Sequence, residues 1–266
     1  MKFTDTDIIL IGAGNLASHL ARVLSHKGLR ISGICSRTAK SARALAKPYH
    51  CPGCANVALI PDKAKFYFIC VDDEKLPEVV DRMPDTQGLV MHTSGSQPLD
   101  ILRKFPNRGV FYPLQTFSKN RETDFSIVPV CIEAPDKKNL GTLKKIARIL
   151  SEDVRIMDSD QRKNTHLAAV FASNFSNFMF VAASDILRNY KTDFNILIPL
   201  ILEFFDKTIS MDAWKAQTGP AIRGDWSVIE QHLSLLSDHP GYQDIYRTIS
   251  GQIIAKKEAE SITLKK

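Results

Sequence analysis

Short apolar segments alternate with helix-like segments through the first half of the chain. Seven apolar runs predict strands, at residues 7–11, 30–35, 66–71, 89–91, 109–112, 127–132 and 154–157. Apolar residues at helical spacing predict helices among them, at residues 15–26, 39–46, 76–83, 99–104 and 137–150. Such alternation is typical of an α/β fold, in which a mostly parallel sheet carries helices on both faces.

The pattern changes near Asp158, after which no run predicts a strand. Asp158 and Gln161 have the spacing of a capping box, so we expect a long helix at residues 161–189. Further helices are predicted at 194–211, from Gly219-Pro220 onward, and at 242–259. We therefore expect an α/β domain at residues 1–157 and an all-α domain at residues 158–266.

A glycine-rich turn joins the first predicted strand to the first predicted helix. Gly12, Gly14 and Ala17 form a Gly-x-Gly-x-x-Ala pattern, in which Gly12 allows a tight turn and Gly14 lets a diphosphate approach the backbone. The free amides at the helix N-terminus would also attract phosphates. Because strand, turn and helix agree, we expect a Rossmann-type dinucleotide site rather than a turn without a ligand. The predicted contacts are Gly12, Ala13, Gly14, Asn15 and Leu16.

The end of the second predicted strand indicates which dinucleotide binds. Sites for NAD usually place an acidic residue there, whereas this chain has Ser36, Arg37 and Thr38. A guanidinium and two hydroxyls suit the oxygens of a 2′-phosphate, so the sequence favours NADP as the cofactor. The alternative is that Arg37 only begins a helix exposed to solvent.

Two further strand ends should border the cofactor, because ligands of such sheets lie beyond the carboxyl ends of the strands. Val71 and Asp72 stand at the end of the third strand, and Thr93 and Ser94 follow the fourth. Thr93 and Ser94 could meet the nicotinamide half or the substrate. The alternative is ordinary turn chemistry, since such residues are common in turns.

Composition narrows the classes of function. The net charge is +6, but the basic residues are scattered, so we expect no nucleic-acid partner. No apolar run is long enough to span a membrane, and residues 1–5 lack the apolar core of a signal peptide, so we expect a cytoplasmic protein.

The cysteines of a cytoplasmic protein should be reduced thiols. Cys51 and Cys54 form an isolated C-x-x-C pair, which favours a loop with two thiols over a redox or metal site.

Three segments resemble a known family: 112–117 (YPLQTF), 166–174 (HLAAVFASN) and 218–225 (TGPAIRGD). With them, nearly the whole chain resembles a family of NADP oxidoreductases that join a Rossmann-like domain to a helical domain of unknown function. The N-terminal half is similar to the nucleotide domain of pyrroline-5-carboxylate reductases, 6-phosphogluconate dehydrogenases and deazaflavin-dependent NADP oxidoreductases. The resemblance implies a homodimer formed largely through the helical domain, and it implies Gln115 at a cleft between the domains.

The long predicted helix offers groups for proton transfer. Lys163, His166 and Asn174 are spaced so that an α-helix would place them on one stripe. His166 could be a general acid, Lys163 could polarise a carbonyl and Asn174 could position it. Arg223, just inside a later helix, could clamp a carboxylate or phosphate of the substrate. The alternatives are a core or interface role for His166, a solvated position for Lys163 and a protein ion pair for Arg223.

These observations predict an NADP-dependent oxidoreductase that transfers a hydride to or from a small carbonyl, hydroxy or imino compound in the cleft between the domains. A non-catalytic NADP-binding sensor or scaffold is the alternative from another class. A deazaflavin or flavin reductase is a third possibility, which keeps the hydride chemistry but changes the acceptor. The fold alone does not choose among these functions.

Overall fold

The computed structural model describes residues 7–119 and 121–263. Residues 1–5, on which part of the expectation about localisation depends, lie outside the described residues. The chain forms two compact units, which divide between Ser173 and Asn174. The domain boundary predicted between residues 157 and 158 follows the last strand, and it stays a prediction.

Among the described residues, all eight strands and five of the α-helices belong to the first unit. The strands are β1 (Asp7–Ile11), β2 (Arg30–Cys35), β3 (Gly53–Cys54), β4 (Phe66–Ile69), β5 (Leu89–His92), β6 (Arg108–Pro113), β7 (Val130–Glu133) and β8 (Val154–Ile156). The helices are α1 (Asn15–His26), α2 (Ala39–Ala46), α3 (Leu76–Arg82), α4 (Lys137–Leu150) and α5 (Ser159–Ala169). The helix expected at 99–104 is a 3-10 turn, Leu99–Leu102.

The strands form one sheet in the order β3-β2-β1-β4-β5-β6-β7-β8. Neighbouring strands are parallel except β6 and β7, which are antiparallel. The expected Rossmann-type, mostly parallel sheet is therefore confirmed. The chain leaves β1 toward β2 on one side and later returns to β4 on the other. A crevice for a ligand is expected at this switch point, beyond the carboxyl ends of the two strands.

Two apolar layers cover the sheet because successive side chains of a strand point to opposite faces. On β1, Ile8 and Leu10 belong to one buried cluster, together with residues of α1 and α4. Ile9 and Ile11 belong to a second cluster, together with residues of α3. Burial on both faces explains why the strands are almost continuously apolar in sequence.

Helix α5 begins as the sequence predicts but does not continue as one α-helix. The Asp158 side chain accepts a hydrogen bond from the Gln161 amide, and the Gln161 side chain reaches back to Asp158, which confirms the capping box. The long helix predicted over 161–189 is present as one continuous helical run, Ser159–Asn189, but Val170–Phe175 within it form a π-helical turn. Such turns break the 3.6-residue spacing and are frequent at functional sites.

The described residues of the second unit form helices joined by turns, without a strand among them. Its helices are α6 (Ser176–Asn189), α7 (Ile198–Ser210), α8 (Pro220–Arg223), α9 (Trp226–Leu235) and α10 (Pro240–Thr263). The Tyr242 hydroxyl donates to the Asp185 carboxylate at 2.6 Å, and the Lys257 ammonium donates to the Ile222 carbonyl at 2.7 Å. Only four described residues of this unit are buried: Ala221, Ile229, Leu236 and Ser250.

One helical run, Ser159–Asn189, is long and apolar enough to cross a membrane by length and composition alone. No uninterrupted apolar run of that length is present in the sequence, so no such segment was expected. An 18-residue segment of this helix reaches a mean hydropathy of 1.4 although polar residues are scattered through it. None of that segment is buried within the chain. One such helix is weak evidence for a membrane span. Exposed apolar surface of this kind is typical of a site that another protein or a membrane contacts.

Candidate functional site

The glycine turn after β1 has a backbone that only glycine adopts readily. Gly12 has φ +121°, and a Cβ built there would lie 2.0 Å from the carbonyl oxygen of Cys70 on the neighbouring strand end. The Gly12 amide donates to the Cys35 carbonyl at 2.7 Å, which fixes the turn between β2 and β4. Gly12 therefore forms the tight turn that the sequence predicted.

Gly14, the N-cap of α1, is suited to its position for a different reason from Gly12. A Cβ there would meet no atom within 4 Å, so the residue faces open space. No side chain caps this end of the helix, which leaves the first amides of α1 without a side-chain acceptor. An anion placed at this end would meet those amides and the positive end of the helix dipole.

A cavity of about 480 Å³ lies beyond the carboxyl ends of β1, β2 and β4. It has the size of a small-molecule site. Its lining includes predicted contacts from three loops: Gly12, Gly14, Ser36, Arg37, Thr38 and Asp72. The open space at Gly14, the uncapped helix and this cavity together fit a dinucleotide.

The loop after β2 provides hydroxyls and one exposed guanidinium. Thr38 is the N-cap of α2 and accepts from the Ser41 amide at 3.2 Å. The Ser41 hydroxyl donates to Ser36 Oγ at 3.1 Å, so Ser36, Thr38 and Ser41 are bonded to one another. Arg37 lines the cavity without an ion pair among the described residues. A phosphate can therefore reach Arg37 without displacing a protein carboxylate.

In the loop after β5, the side chains of Thr93 and Ser94 form hydrogen bonds with backbone groups of the protein. The Thr93 hydroxyl donates to the Ile69 carbonyl at 3.1 Å. Ser94 Oγ accepts from the amides of Ser96 and Gln97 at 3.1 and 3.0 Å. Both residues are buried and neither lines the cavity, so the geometry favours turn chemistry for their hydroxyls. Their predicted contact with the nicotinamide half stays a prediction.

His92, the last residue of β5, is fully buried beneath this loop. Its Nδ1 accepts from the Ser94 amide at 3.2 Å. Burial, and then the positive charge of Arg162, lower the pKa of His92 to about 3. His92 therefore stays neutral over the physiological range and supports the loop rather than exchanging protons.

Next to the same loop, His166 of α5 meets Tyr112 of β6. The Tyr112 hydroxyl and His166 Nδ1 are 2.9 Å apart, and the two rings pack edge to face. A Cβ at Gly95 would lie 2.7 Å from the His166 ring and 2.8 Å from the Tyr112 ring. Because Gly95 has no side chain, the two rings can pack against each other beside its backbone. We call these three residues the Gly95–Tyr112–His166 cluster.

Arg162, one turn before His166, holds α5 against the sheet. Its side chain is only 1% exposed and forms an ion pair with Glu133 of β7. It also donates to the Gln97 carbonyl, while the Ser159 hydroxyl donates to Glu133 at 2.9 Å. The buried ion pair therefore connects α5, β7 and the loop after β5.

Comparison with known proteins agrees with this geometry. Residues 7–91 match the domain described as NADP oxidoreductase, coenzyme F420-dependent, and residues 128–253 match a domain of unknown function, DUF2520. A crystal structure from Bacteroides fragilis, described as an NADP oxidoreductase, shares 42% identity over 96% of this chain and 100% of that one, with a TM-score of 0.88. This chain belongs to that NADP oxidoreductase family.

More distant structures share the fold of this NADP oxidoreductase. A Thermotoga maritima protein shows 25% identity over 96% of this chain and 99% of its own, with a TM-score of 0.72. An Aspergillus terreus reductive aminase in complex with NADPH and ethyl levulinate shows 12% identity over 93% of this chain and 92% of its own, with a TM-score of 0.67. None of the curated proteins matches significantly.

Family membership and the cavity agree on NADP as the cofactor. The amides of Asn15 and Leu16, at the start of α1, are suited to hold the diphosphate, while Ala13 and Val71 line the cavity beside it. Arg37 is suited to hold the 2′-phosphate. Each of these contacts stays a prediction.

The proposed catalytic stripe is only partly preserved in this oxidoreductase. Lys163 lies exposed on α5, and its nearest acidic partner is Asp160 at 3.8 Å. Asn174 falls within the π-helical turn, so the spacing rule that aligned it with His166 no longer applies. Of the three predicted catalytic residues, only His166 belongs to the Gly95–Tyr112–His166 cluster, where Tyr112 is its hydrogen-bond partner. The roles of Lys163 and Asn174 remain predictions without added support.

The two predicted substrate contacts are both exposed. Gln115 Oε1 accepts from the Thr116 amide at 2.8 Å, so it is used in a local turn. Arg223 ends the short helix α8 and forms no ion pair among the described residues. Asp225 instead caps α9 by accepting from the Val228 amide at 3.3 Å, so it does not pair with Arg223. Both substrate roles stay predictions.

The C-x-x-C motif lies in and beside the sheet as free thiols. Cys54 of β3 pairs with Cys35 of β2, and the Cys51 thiol donates to the Ala46 carbonyl at 3.9 Å. Burial, followed by the contact with Cys54, raises the pKa of Cys35 to about 12, and burial also raises the pKa of Cys51. The raised pKa of Cys51 disfavours the thiolate that redox chemistry at this residue would require. The described residues hold no group of three or more side chains able to bind a metal.

Sequence reasoning missed Gly95, Tyr112 and Arg162. Tyr112 stood in a segment that carried the family resemblance, and Gly95 followed a predicted strand, so both lay at strand ends where a site was expected. Arg162 was one helical turn before His166. A basic residue on the same helical stripe as a candidate histidine was the available signal.

Proposed function

We propose that this NADP-dependent oxidoreductase reduces or oxidises a small carbonyl, hydroxy or imino compound, with His166 exchanging the proton. The bound cofactor supplies or accepts the hydride. The single observation that supports the proposal is the position of His166 beside the loop after β5, with Nδ1 held by Tyr112. Among the described residues no partner of His166 Nε2 is seen, so this nitrogen is free to meet a substrate.

The proton must be delivered where negative charge develops after hydride addition. On reduction of a carbonyl, the substrate oxygen gains an electron pair as the carbon accepts the hydride, and His166 Nε2–H would donate its proton to that oxygen. In the reverse direction, neutral Nε2 would accept the proton of the hydroxyl. All the residues that this proposal places beside the substrate, His166, Tyr112 and Gly95, belong to the first unit.

The test is turnover of NADPH with a panel of small ketones, aldehydes and cyclic imines, followed by absorbance of the reduced cofactor. Imines belong in the panel because a reductive aminase and an imine reductase share this fold. We expect His166→Gln to lower kcat by about 100-fold or more while the Kd of NADPH is unchanged. Asn164→Gln, at an exposed position of the same helix, is the matched control. Equal kcat values for His166→Gln and the wild type would refute the role of His166.

Two other functions are outcomes of the same experiment. Tight NADPH binding without turnover of any compound would favour the sensor or scaffold. Turnover only with coenzyme F420 would favour a deazaflavin reductase, which the description of the N-terminal domain suggests. Adding F420 as one acceptor in the panel separates these cases.

We also propose a homodimer formed through the second unit. Helices α6 and α7 contain no buried residue, although their sequences are rich in large apolar side chains. Their exposed side chains include Phe178, Leu200, Leu202, Phe204 and Ile209. Covering this apolar surface would be favourable by about 25 cal/mol for each Å² removed from water. The resemblance of the chain to its family points to a second copy of the chain as the cover.

Sedimentation of the purified chain tests the dimer. We expect the wild type to be a dimer, and we expect Leu202→Glu to shift it to monomers because a charge would enter the apolar interface. Glu203→Gln, on the polar side of α7 where Glu203 pairs with Lys207, should leave the mass unchanged. A monomeric wild type at micromolar concentration would contradict the proposal.

A further inference from the structure

We propose that Tyr112 is a positioning residue that occupies Nδ1 of His166 and thereby makes Nε2 the only nitrogen of that ring able to exchange a proton. This inference rests on the proposed function of His166. It adds a residue from a different strand, and it assigns separate tasks to the two nitrogens of the imidazole.

Three contacts fix the ring of His166. The Tyr112 hydroxyl lies 2.9 Å from Nδ1, within hydrogen-bond distance. The ring of Tyr112 packs edge to face on the imidazole at 5.9 Å between centroids. The backbone of Gly95 covers the same side, where even one added carbon would collide with both rings. With one nitrogen and one side of the ring occupied, the free nitrogen Nε2 has a fixed direction.

The backbone on both sides of this contact is also fixed. Tyr112 is buried near the end of β6 and is paired with Cys131 of β7. On the other side, Arg162 holds α5 one turn before His166 through its ion pair with Glu133. Neither partner can move away from the other without breaking sheet pairing or a buried ion pair.

Tyr112 acts on His166 without giving up its own proton. Burial, followed by the nearby thiol of Cys131 and the carboxylate of Asp73, raises the pKa of Tyr112 to about 12. A tyrosinate is therefore disfavoured at neutral pH. The neutral hydroxyl can accept from a protonated Nδ1 or donate to an unprotonated one. Tyr112 can thus stay bonded to His166 while Nε2 gains or loses a proton.

The decisive measurement is ¹⁵N NMR of the histidine rings in the full-length protein, with the His166 signals assigned by their loss in His166→Gln. We expect Tyr112→Phe to move the Nδ1 signal of His166 more than its Nε2 signal. In steady-state assays we expect Tyr112→Phe to lower kcat by about tenfold and to leave the KM of NADPH unchanged.

Two controls separate this role from general damage. Tyr67→Phe removes a hydroxyl on β4, which β5 separates from β6 in the sheet. This hydroxyl donates to the Pro61 carbonyl at 2.6 Å, and its loss should leave the His166 signals and kcat unchanged. Tyr246→Phe removes the hydroxyl that lies 2.8 Å from Nδ1 of His232, and it should move only the His232 signals.

The outcomes are distinct. An unchanged Nδ1 signal of His166 in Tyr112→Phe, or a larger change at Nε2, would overturn the inference. So would a changed Nδ1 signal with an unchanged kcat, because the bond would then have no effect on the reaction. If the wild type turns over no compound, the proposed function fails, and the NMR result alone decides whether Tyr112 holds Nδ1.

Discussion

The guanidinium of Arg162 and the carboxylate of Glu133 form a buried ion pair between α5 and β7. Removing one partner of such a pair leaves the other charge without compensation in a poorly solvated place. This pair is therefore the strongest candidate in the first unit for a polar contact on which stability depends.

We predict that Arg162→Met destabilises the protein by about 3 to 5 kcal/mol, measured as the free energy of unfolding in urea. Glu133, whose side chain is only 15% exposed, would then lack its charged partner. The double variant Arg162→Met, Glu133→Gln should recover part of the loss, because the uncompensated charge is gone.

Arg155→Met is the matched control for this measurement. Arg155 pairs with Asp153 at 2.7 Å, but both side chains are substantially exposed. Solvent screens such a pair, so its loss should leave the urea midpoint nearly unchanged. Similar losses in the two single variants would show that burial does not set the contribution of Arg162.

A second prediction separates the two glycines of the turn. Gly12→Ala should destabilise the fold, because its Cβ would collide with the Cys70 carbonyl oxygen and its φ is +121°. Gly14→Ala should leave stability within about 0.5 kcal/mol of the wild type, a typical limit for a surface change, yet weaken NADPH binding at least tenfold. Thermal unfolding and calorimetry with NADPH measure the two effects.

Gly141→Ala in the middle of α4 provides the control. Its Cβ would meet no atom within 4 Å. The substitution should stabilise the helix by about 0.5 to 1 kcal/mol and leave NADPH binding unchanged. If Gly14→Ala binds NADPH as tightly as Gly141→Ala does, the diphosphate does not approach Gly14.

The sequence predicted the sheet well because most strands are buried on both faces and read as apolar runs. It missed β3 because Gly53–Cys54 is too short to form a pattern, and it did not reveal that β7 runs antiparallel to β6. The apolar content of a strand indicates its burial but not its direction.

The candidate site was predicted unevenly for a similar reason. The cofactor end depends on residues close together in sequence, such as Gly12 and Gly14, so a local motif indicates it. The contact between Tyr112 and His166 joins residues 54 positions apart, and no local pattern indicates such a contact. The π-helical turn also shifted Asn174 relative to the α-helical spacing on which its alignment depended.

A third prediction concerns acid stability. His92 has a folded pKa of about 3, below the value of about 6.5 expected in the unfolded chain. Between these values the unfolded chain binds the extra proton. The contribution of neutral His92 to stability is therefore complete above pH 6.5 and is lost as pH falls toward 3. His92→Asn should flatten this dependence by roughly 1 kcal/mol per pH unit below pH 6.5.

Urea unfolding at a series of pH values checks this prediction. His50→Asn is the control, because His50 is exposed and has φ +51°, a conformation that asparagine tolerates. Its curve should run parallel to that of the wild type. If the His92→Asn curve is also parallel, the buried imidazole does not contribute to acid sensitivity.

The last prediction concerns the choice between NADPH and NADH. Only NADPH carries the 2′-phosphate, so a residue that holds this group should affect one cofactor and not the other. Arg37→Ala should raise the Kd of NADPH by about 10- to 100-fold, the effect of losing a charged hydrogen bond, and leave the Kd of NADH nearly unchanged. Arg43→Ala, on α2 but outside the cavity lining, should change neither value. If Arg37→Ala weakens both cofactors equally, Arg37 contributes only general positive charge, and another cavity residue such as Lys75 or Arg82 must distinguish them.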